Sequence, residues 1–490
     1  MNLLPEPVDD LTTIDAPELD EAQIIKTNAW TGDHVAESPF GPGYPGWAGT
    51  QPKWPTGGKM FPPPPASPAD WEDARVGWGL VLPDRAGWSP EQLARAEDAR
   101  PSVRELLASR PGSKVLRYIH DEKFSKWVLR DYANGGDRPI DTSPPGTGPD
   151  GIPAYLLIIG SPQEIPWDVQ FQLGLVRRVG RLDLTDDGLD NYVHALMTGW
   201  KDSEGRYENP LVWSVVHSAD DITALMRDAV GAPLYEAFSA DADLAGAAFV
   251  DGRTVPATAK ALREHLARLK PLIIVTTSHG QIGPPGNPDL MRRQLGAIVD
   301  AEFTPEGPEE LLSVWKPDGA IWLAQACCSA GSQSPSMFRD LFEPTSAVGS
   351  VLESAASVGP VVSPLPRALL GAARPLRAFI GHVEPTFDWT MTFPPTRQQL
   401  THWARETMYS GAYGGIPIGL ALESAGLYEP VGPLLLRQAT ALKDYASETD
   451  ELRAKRTLDL ALYGKVTAFD RAATVLLGDP TVSIPLPNRS

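Results

Sequence analysis

Two places in this chain hold residue types that together can open an acyl bond. One is His279–Gly280, which closes the run "PLIIVTTSHG" (271–280). The other is "AIWLAQACC" (320–328), whose last two residues, Cys327 and Cys328, are the only cysteines in 490 residues. A thiol is a poor nucleophile until it loses its proton, and a neighbouring imidazole can accept that proton. The same imidazole can then protonate a leaving amine. The tetrahedral intermediate also needs donors for its oxyanion, and the backbone N–H groups of Gly280 and of the cysteine are the candidates. Taken singly, each signal is weak, because a cysteine at a strand end is most often a small buried hydrophobe. The argument rests on the two occurring together, 48 residues apart, each after a run of strand-forming residues.

Those runs imply the frame that must position them. "AYLLIIGS" (154–161), "LVWSVVHSA" (211–219), "PLIIVTTSHG", "AIWLAQACC" and "LRAFIGHV" (376–383) read as buried strands. Between them, "DDITALMRDAVG", with Asp221 near its start, and "ATAKALREHLARLK" (257–270) read as helices. Strands that alternate with helices predict an α/β fold, a mostly parallel sheet with helices on both faces. In such sheets ligands bind beyond the carboxyl ends of the strands. A spacing of 48 residues is room for one crossover, so His279 and Cys327 are expected at the ends of neighbouring strands, facing one crevice. Side-chain alternation then turns one cysteine to the crevice and the other to packing.

Three units are expected: a Pro/Gly/Trp-rich arm over 1–88, a first α/β subdomain over 89–205 and a catalytic subdomain over 206–490. Residues 38–68 carry ten prolines, which argues for extended or irregular chain and against helix. Tyr44, Trp47, Trp54, Phe61 and Trp71 are interleaved with them, more aromatics than a free linker carries, so the arm is expected to lie along the body. "SPEQLARAEDARPSVRELLASRPGS" reads as helix, with Ser89 as N-cap and Pro90 at the first position.

The net charge of −19 disfavours nucleic acid and anionic membrane surfaces. The first residues lack the basic and apolar regions of a signal peptide, and no window is apolar enough to span a bilayer. Two adjacent cysteines cannot staple a secreted fold, so a reducing cytoplasm is expected. No G-x-S-x-G and no phosphate-binding G-x-x-x-x-G-K-[ST] is present, which leaves a serine hydrolase or a nucleotide enzyme without its motif. No cofactor or metal is expected. His382 is expected to be a hydrogen-bonded structural histidine, and His217 to help start the helix after it. Glu384 and Asp388 stand near a strand end, but no carboxylate singles itself out as a third catalytic member.

"IIVTTSHG" followed by "WLAQAC" resembles the caspase-like cysteine peptidases, in particular the gingipain-like and CHAT-domain branches. "YLLIIGSPQEIP" with "RRVGRLDL" (177–184), "LPRALLGAARPLRAFIGHVEP" (365–385) and "VLLGDPTVSIP" (475–485) are similar to further segments of that group. The likeness covers roughly residues 150 to 485. Ser329 stands where the caspase signature has glycine. The resemblance implies a caspase-like fold and a cysteine endopeptidase with a His279–Cys327 dyad, Gly280 lending an oxyanion N–H. The reaction would pass through a thioester acyl-enzyme on a protein or peptide substrate. Cys327 is favoured over Cys328 because it follows the small residue Ala326 within "QAC". The resemblance also implies a protein activator and an effector role in bacterial defence or cell death. The alternative is a caspase-like scaffold without activity.

Overall fold

Apolar runs rich in β-branched and aromatic side chains build the centre of the molecule. The computed structural model describes residues 24–27, 29–30, 36–50, 66–119, 127–393 and 396–487. One sheet contains twelve strands: β1 (Trp78–Pro83), β2 (Lys114–Tyr118), β3 (Val128–Arg130), β4 (Asp137–Pro139), β5 (Tyr155–Ile159), β6 (Arg178–Leu182), β7 (Leu211–Ser214), β8 (Ala248–Asp251), β9 (Ile273–Thr277), β10 (Ile321–Gln325), β11 (Ala378–His382) and β12 (Thr474–Gly478). Their lateral order is β8-β7-β9-β10-β11-β12-β6-β5-β1-β2-β3-β4. Neighbours run parallel except at β11/β12, β2/β3 and β3/β4. The α/β class and the mostly parallel sheet therefore agree with the expectation. β5, β9 and β11 are buried along their whole length, as continuous apolar runs of a covered parallel sheet should be.

The sequence reading places strand β1 inside the arm, but it sits in the sheet between β5 and β2. Its run "WGLVLP" is short and close to the proline-rich stretch, which masks the signal. Within that stretch a helix does form, Tyr44–Gly49, against the expectation of none. Pro45 falls in its first turn, where the missing N–H is not needed. Trp47 of this helix is buried and lies edge-on to Phe469, with ring centroids 5.8 Å apart. Trp54 and Phe61 lie outside the described residues. The single helix expected from Ser89 is two, Pro90–Ala94 and Pro101–Ser109. The break follows Ala96, whose φ is +53°, and Pro101 starts the second. Ser89 caps the first in a reciprocal pair with Gln92.

Candidate active site

β9 and β10 are adjacent and parallel, with Thr277 opposite Gln325. His279 and Cys327 each lie two residues beyond that pair. The two segments touch through backbone. A Cβ added to Gly280 would lie 1.9 Å from the Cys327 carbonyl oxygen. The glycine is thus required by the chain's own cysteine turn. Gly280→Ala should cost about 1–3 kcal/mol, the usual penalty of overpacking, read from the urea midpoint of the variant. An unchanged midpoint would show that the two turns can separate freely.

His279 is almost fully buried, and its Nε2 lies 3.1 Å from Oδ2 of Asp221. Asp221 is the N-cap of the helix Ile222–Met226, with Oδ1 accepting from the N–H and hydroxyl of Thr223. The N-cap geometry fixes the carboxylate and leaves Oδ2 for the imidazole. Burial would raise the Asp221 pKa, but the hydrogen bond and charge of His279 and the two bonds from Thr223 hold it at about 2. As an ionised carboxylate it can only accept, so Nε2 carries the proton and Nδ1 is the basic nitrogen. Asp221, which the sequence did not single out, is the carboxylate that meets His279.

The sign of its pH effect follows from these values. Unfolded Asp221 takes up a proton near 3.8 and folded Asp221 near 2, so between them the unfolded state binds more protons. The contribution, roughly 2 kcal/mol, is present above pH 3.8 and lost as pH falls towards 2. The stability gap between wild type and Asp221→Asn should narrow over that window. A gap constant from pH 7 to pH 2 would contradict an ionised, His-paired Asp221.

His217 has a larger part than starting a helix. Its N–H bonds to Thr223 Oγ1, and its ring lies 5.2 Å from His279 and 4.1 Å from Phe303, near parallel to both. Asp300 shapes the turn that presents Phe303, accepting from the N–H groups of Glu302 and Thr304. The imidazole of His279 is therefore held by a carboxylate on one nitrogen and by a ring against its face.

Both cysteines are buried free thiols, and both lie in the turn after Gln325, not in the strand. Alternation across a sheet therefore does not separate them. What does is the backbone of Cys328, whose φ of +52° reverses the chain. The Cys328 N–H donates to Glu384 O (2.9 Å), and Ser363 Oγ donates to Cys328 O (2.5 Å). Both cysteines belong to one apolar cluster with Ile282, Met291, Leu295 and Val351. Burial, with the charges of Cys327 and Glu384, pushes the Cys328 thiol well above the ordinary range. Cys327 Sγ has polar neighbours as well: it accepts from the Thr386 N–H at 3.2 Å and lies 3.2 Å from Thr27 Oγ1. A backbone N–H aimed at sulfur favours the thiolate.

Comparison with family models, curated proteins and solved structures finds no match to this chain.

The remaining candidates frame the cysteine turn. His382 Nδ1 lies 3.1 Å from Glu384 O, and its Nε2 lies 2.8 Å from Asp470 O, a structural arrangement. Asp470 also accepts from Thr386 Oγ1 at 3.1 Å and so holds the loop whose N–H reaches Cys327. Buried Glu384 accepts from Ser336 Oγ and the Met337 N–H. Asp388 accepts from the Lys26 N–H. Ser329, in place of the expected glycine, donates to Ala324 O and accepts from the His382 N–H, so its hydroxyl ties the turn to β10 and β11. Among the described residues no group of three or more His, Cys, Asp or Glu could hold a metal ion, and no helix is long and apolar enough to cross a membrane.

Proposed function

We propose that this chain is a cysteine endopeptidase of caspase-like fold, with Cys327 as nucleophile, His279 as general base and acid, and Asp221 as the residue that orients His279. The observation that carries the reading is the placement of His279 and Cys327 in register beyond two adjacent parallel strands, with Asp221 on the far nitrogen of the imidazole. These are residue types that serve as nucleophile, base and orienting acid in acyl transfer. Cys327 would attack the scissile carbonyl as its proton passes to His279, forming a C–S bond. Collapse would expel the amine, protonated by His279, and leave a thioester. Water, deprotonated by His279, would then release the acid and restore the thiol. No residue of this scheme calls for a metal or cofactor.

The substrate would be a protein or peptide, and a defence or cell-death effector released by a protein activator fits the resemblance described above. The alternative, a caspase-like scaffold without activity, predicts no cleavage that depends on Cys327. The test is digestion of a peptide library, with new termini read by mass spectrometry. Cleavage that depends on Cys327 supports the proposal, whereas identical products from wild type and Cys327→Ala overturn it.

A further inference from the structure

The chain's own N-terminus lies across the cysteine. Ile24–Thr27 forms a hairpin with Ala36–Pro39, and Ala29–Trp30 continues beyond it. Ala29 and Trp30 pair in parallel with Gly280 and Gln281, along one edge of the short strand His279–Gln281. The other edge of that strand is taken by Ile298–Val299. Thr27 is fully buried, 300 residues from Cys327 in sequence, with its Oγ1 3.2 Å from Sγ. The same hydroxyl donates to Thr386 O at 3.2 Å. Either atom of the Oγ1–Sγ contact can donate, and in both cases the hydroxyl covers the sulfur. Lys26 adds its N–H on Asp388, and Ile25 is fully buried beside it.

An extended segment that adds a strand beside the catalytic histidine is what a bound peptide looks like. Here a side-chain hydroxyl of the segment lies against the sulfur and obstructs it. Further along, the arm is fastened separately. Lys465 Nζ donates to Thr50 Oγ1 at 2.8 Å, and Gln438 Nε2 donates to Ala48 O at 2.7 Å. The ammonium also sits 4.0 Å from the Trp47 ring centroid. The strand can thus leave the crevice while the helix behind it stays docked.

We propose that the strands Ile24–Thr27 and Ala29–Trp30 are a built-in inhibitor. They occupy the edge of His279–Gln281 where an extended peptide substrate would pair, and they cap the Cys327 thiol until displaced. The consequence for cleavage rests on the peptidase reading above; the occupancy itself does not.

Two measurements on the full chain separate the two. The first is alkylation by iodoacetamide, mapped by mass spectrometry, in wild type and Ile25→Asp. A charge at a buried position should free the strand and speed modification of Cys327 by about tenfold or more, because a thiol reacts only in the fraction of molecules where it is open. Cys328 should remain unmodified in both. A rise accompanied by peptide cleavage supports the inhibitor and the peptidase. A rise without cleavage supports the occupancy and counts against the peptidase. Equal rates in both proteins overturn the proposal. The second uses Thr27→Cys with Cys328→Ala, oxidised by diamide, which takes up the two hydrogens as the S–S bond forms. A disulfide between positions 27 and 327 is expected. Two free thiols after oxidation would overturn the proposal even if Ile25→Asp failed to fold.

Discussion

Cys327→Ala should abolish peptide cleavage while Cys328→Ala retains most of it. The two substitutions are chemically identical and one residue apart, so the contrast isolates what the turn does to each thiol. Cys327 has the Thr386 N–H at its sulfur. Burial pushes the Cys328 thiol well above the ordinary range. Removing a sulfur from either leaves a small void, at a cost of about 1 kcal/mol, so neither variant should unfold. Loss of cleavage with an unchanged melting temperature therefore reports chemistry. An inactive Cys328 variant beside an active Cys327 variant would reverse the assignment.

His279→Ala should lower turnover by about a hundredfold or more, the usual loss of a general acid–base group. Alkylation of Cys327, measured with the N-terminal strand released, should slow as well if the imidazole helps form the thiolate. Asp221→Asn should fall between this variant and wild type, because an amide can present its N–H to the imidazole and favour the wrong tautomer. Undiminished turnover in His279→Ala would remove the imidazole from the mechanism.

The parts of this site differ in how far they could be read from sequence. His279 and Cys327 announced themselves because each closes a continuous run of strand-forming residues, and 48 residues is one crossover. Asp221 could be placed at a helix start but not at an imidazole. That contact depends on β7 lying beside β9, and strand order is set by packing over the whole sheet. A signal did exist: "HSADD" follows an apolar strand as "SHG" does, so both ends belong to one crevice. The alternation argument for the two cysteines failed because the strand stops at Gln325. The arm was misread as free of helix because proline was counted without its position in the turn. That the strands Ile24–Thr27 and Ala29–Trp30 reach Cys327 had no local signal, since pairing with His279–Gln281 joins segments some 250 residues apart.

The central claim is that a peptide bond is opened by Cys327 with its acyl half left on sulfur. The most direct measurement takes a peptide that the chain cleaves, quenches turnover in acid and digests the protein at low pH, where a thioester survives. The account predicts the acyl mass on the fragment holding Cys327, carried by sulfur and absent from His279→Ala. Cleavage that proceeds with that fragment unmodified, or with the acyl group on Cys328 or Ser329, would contradict it.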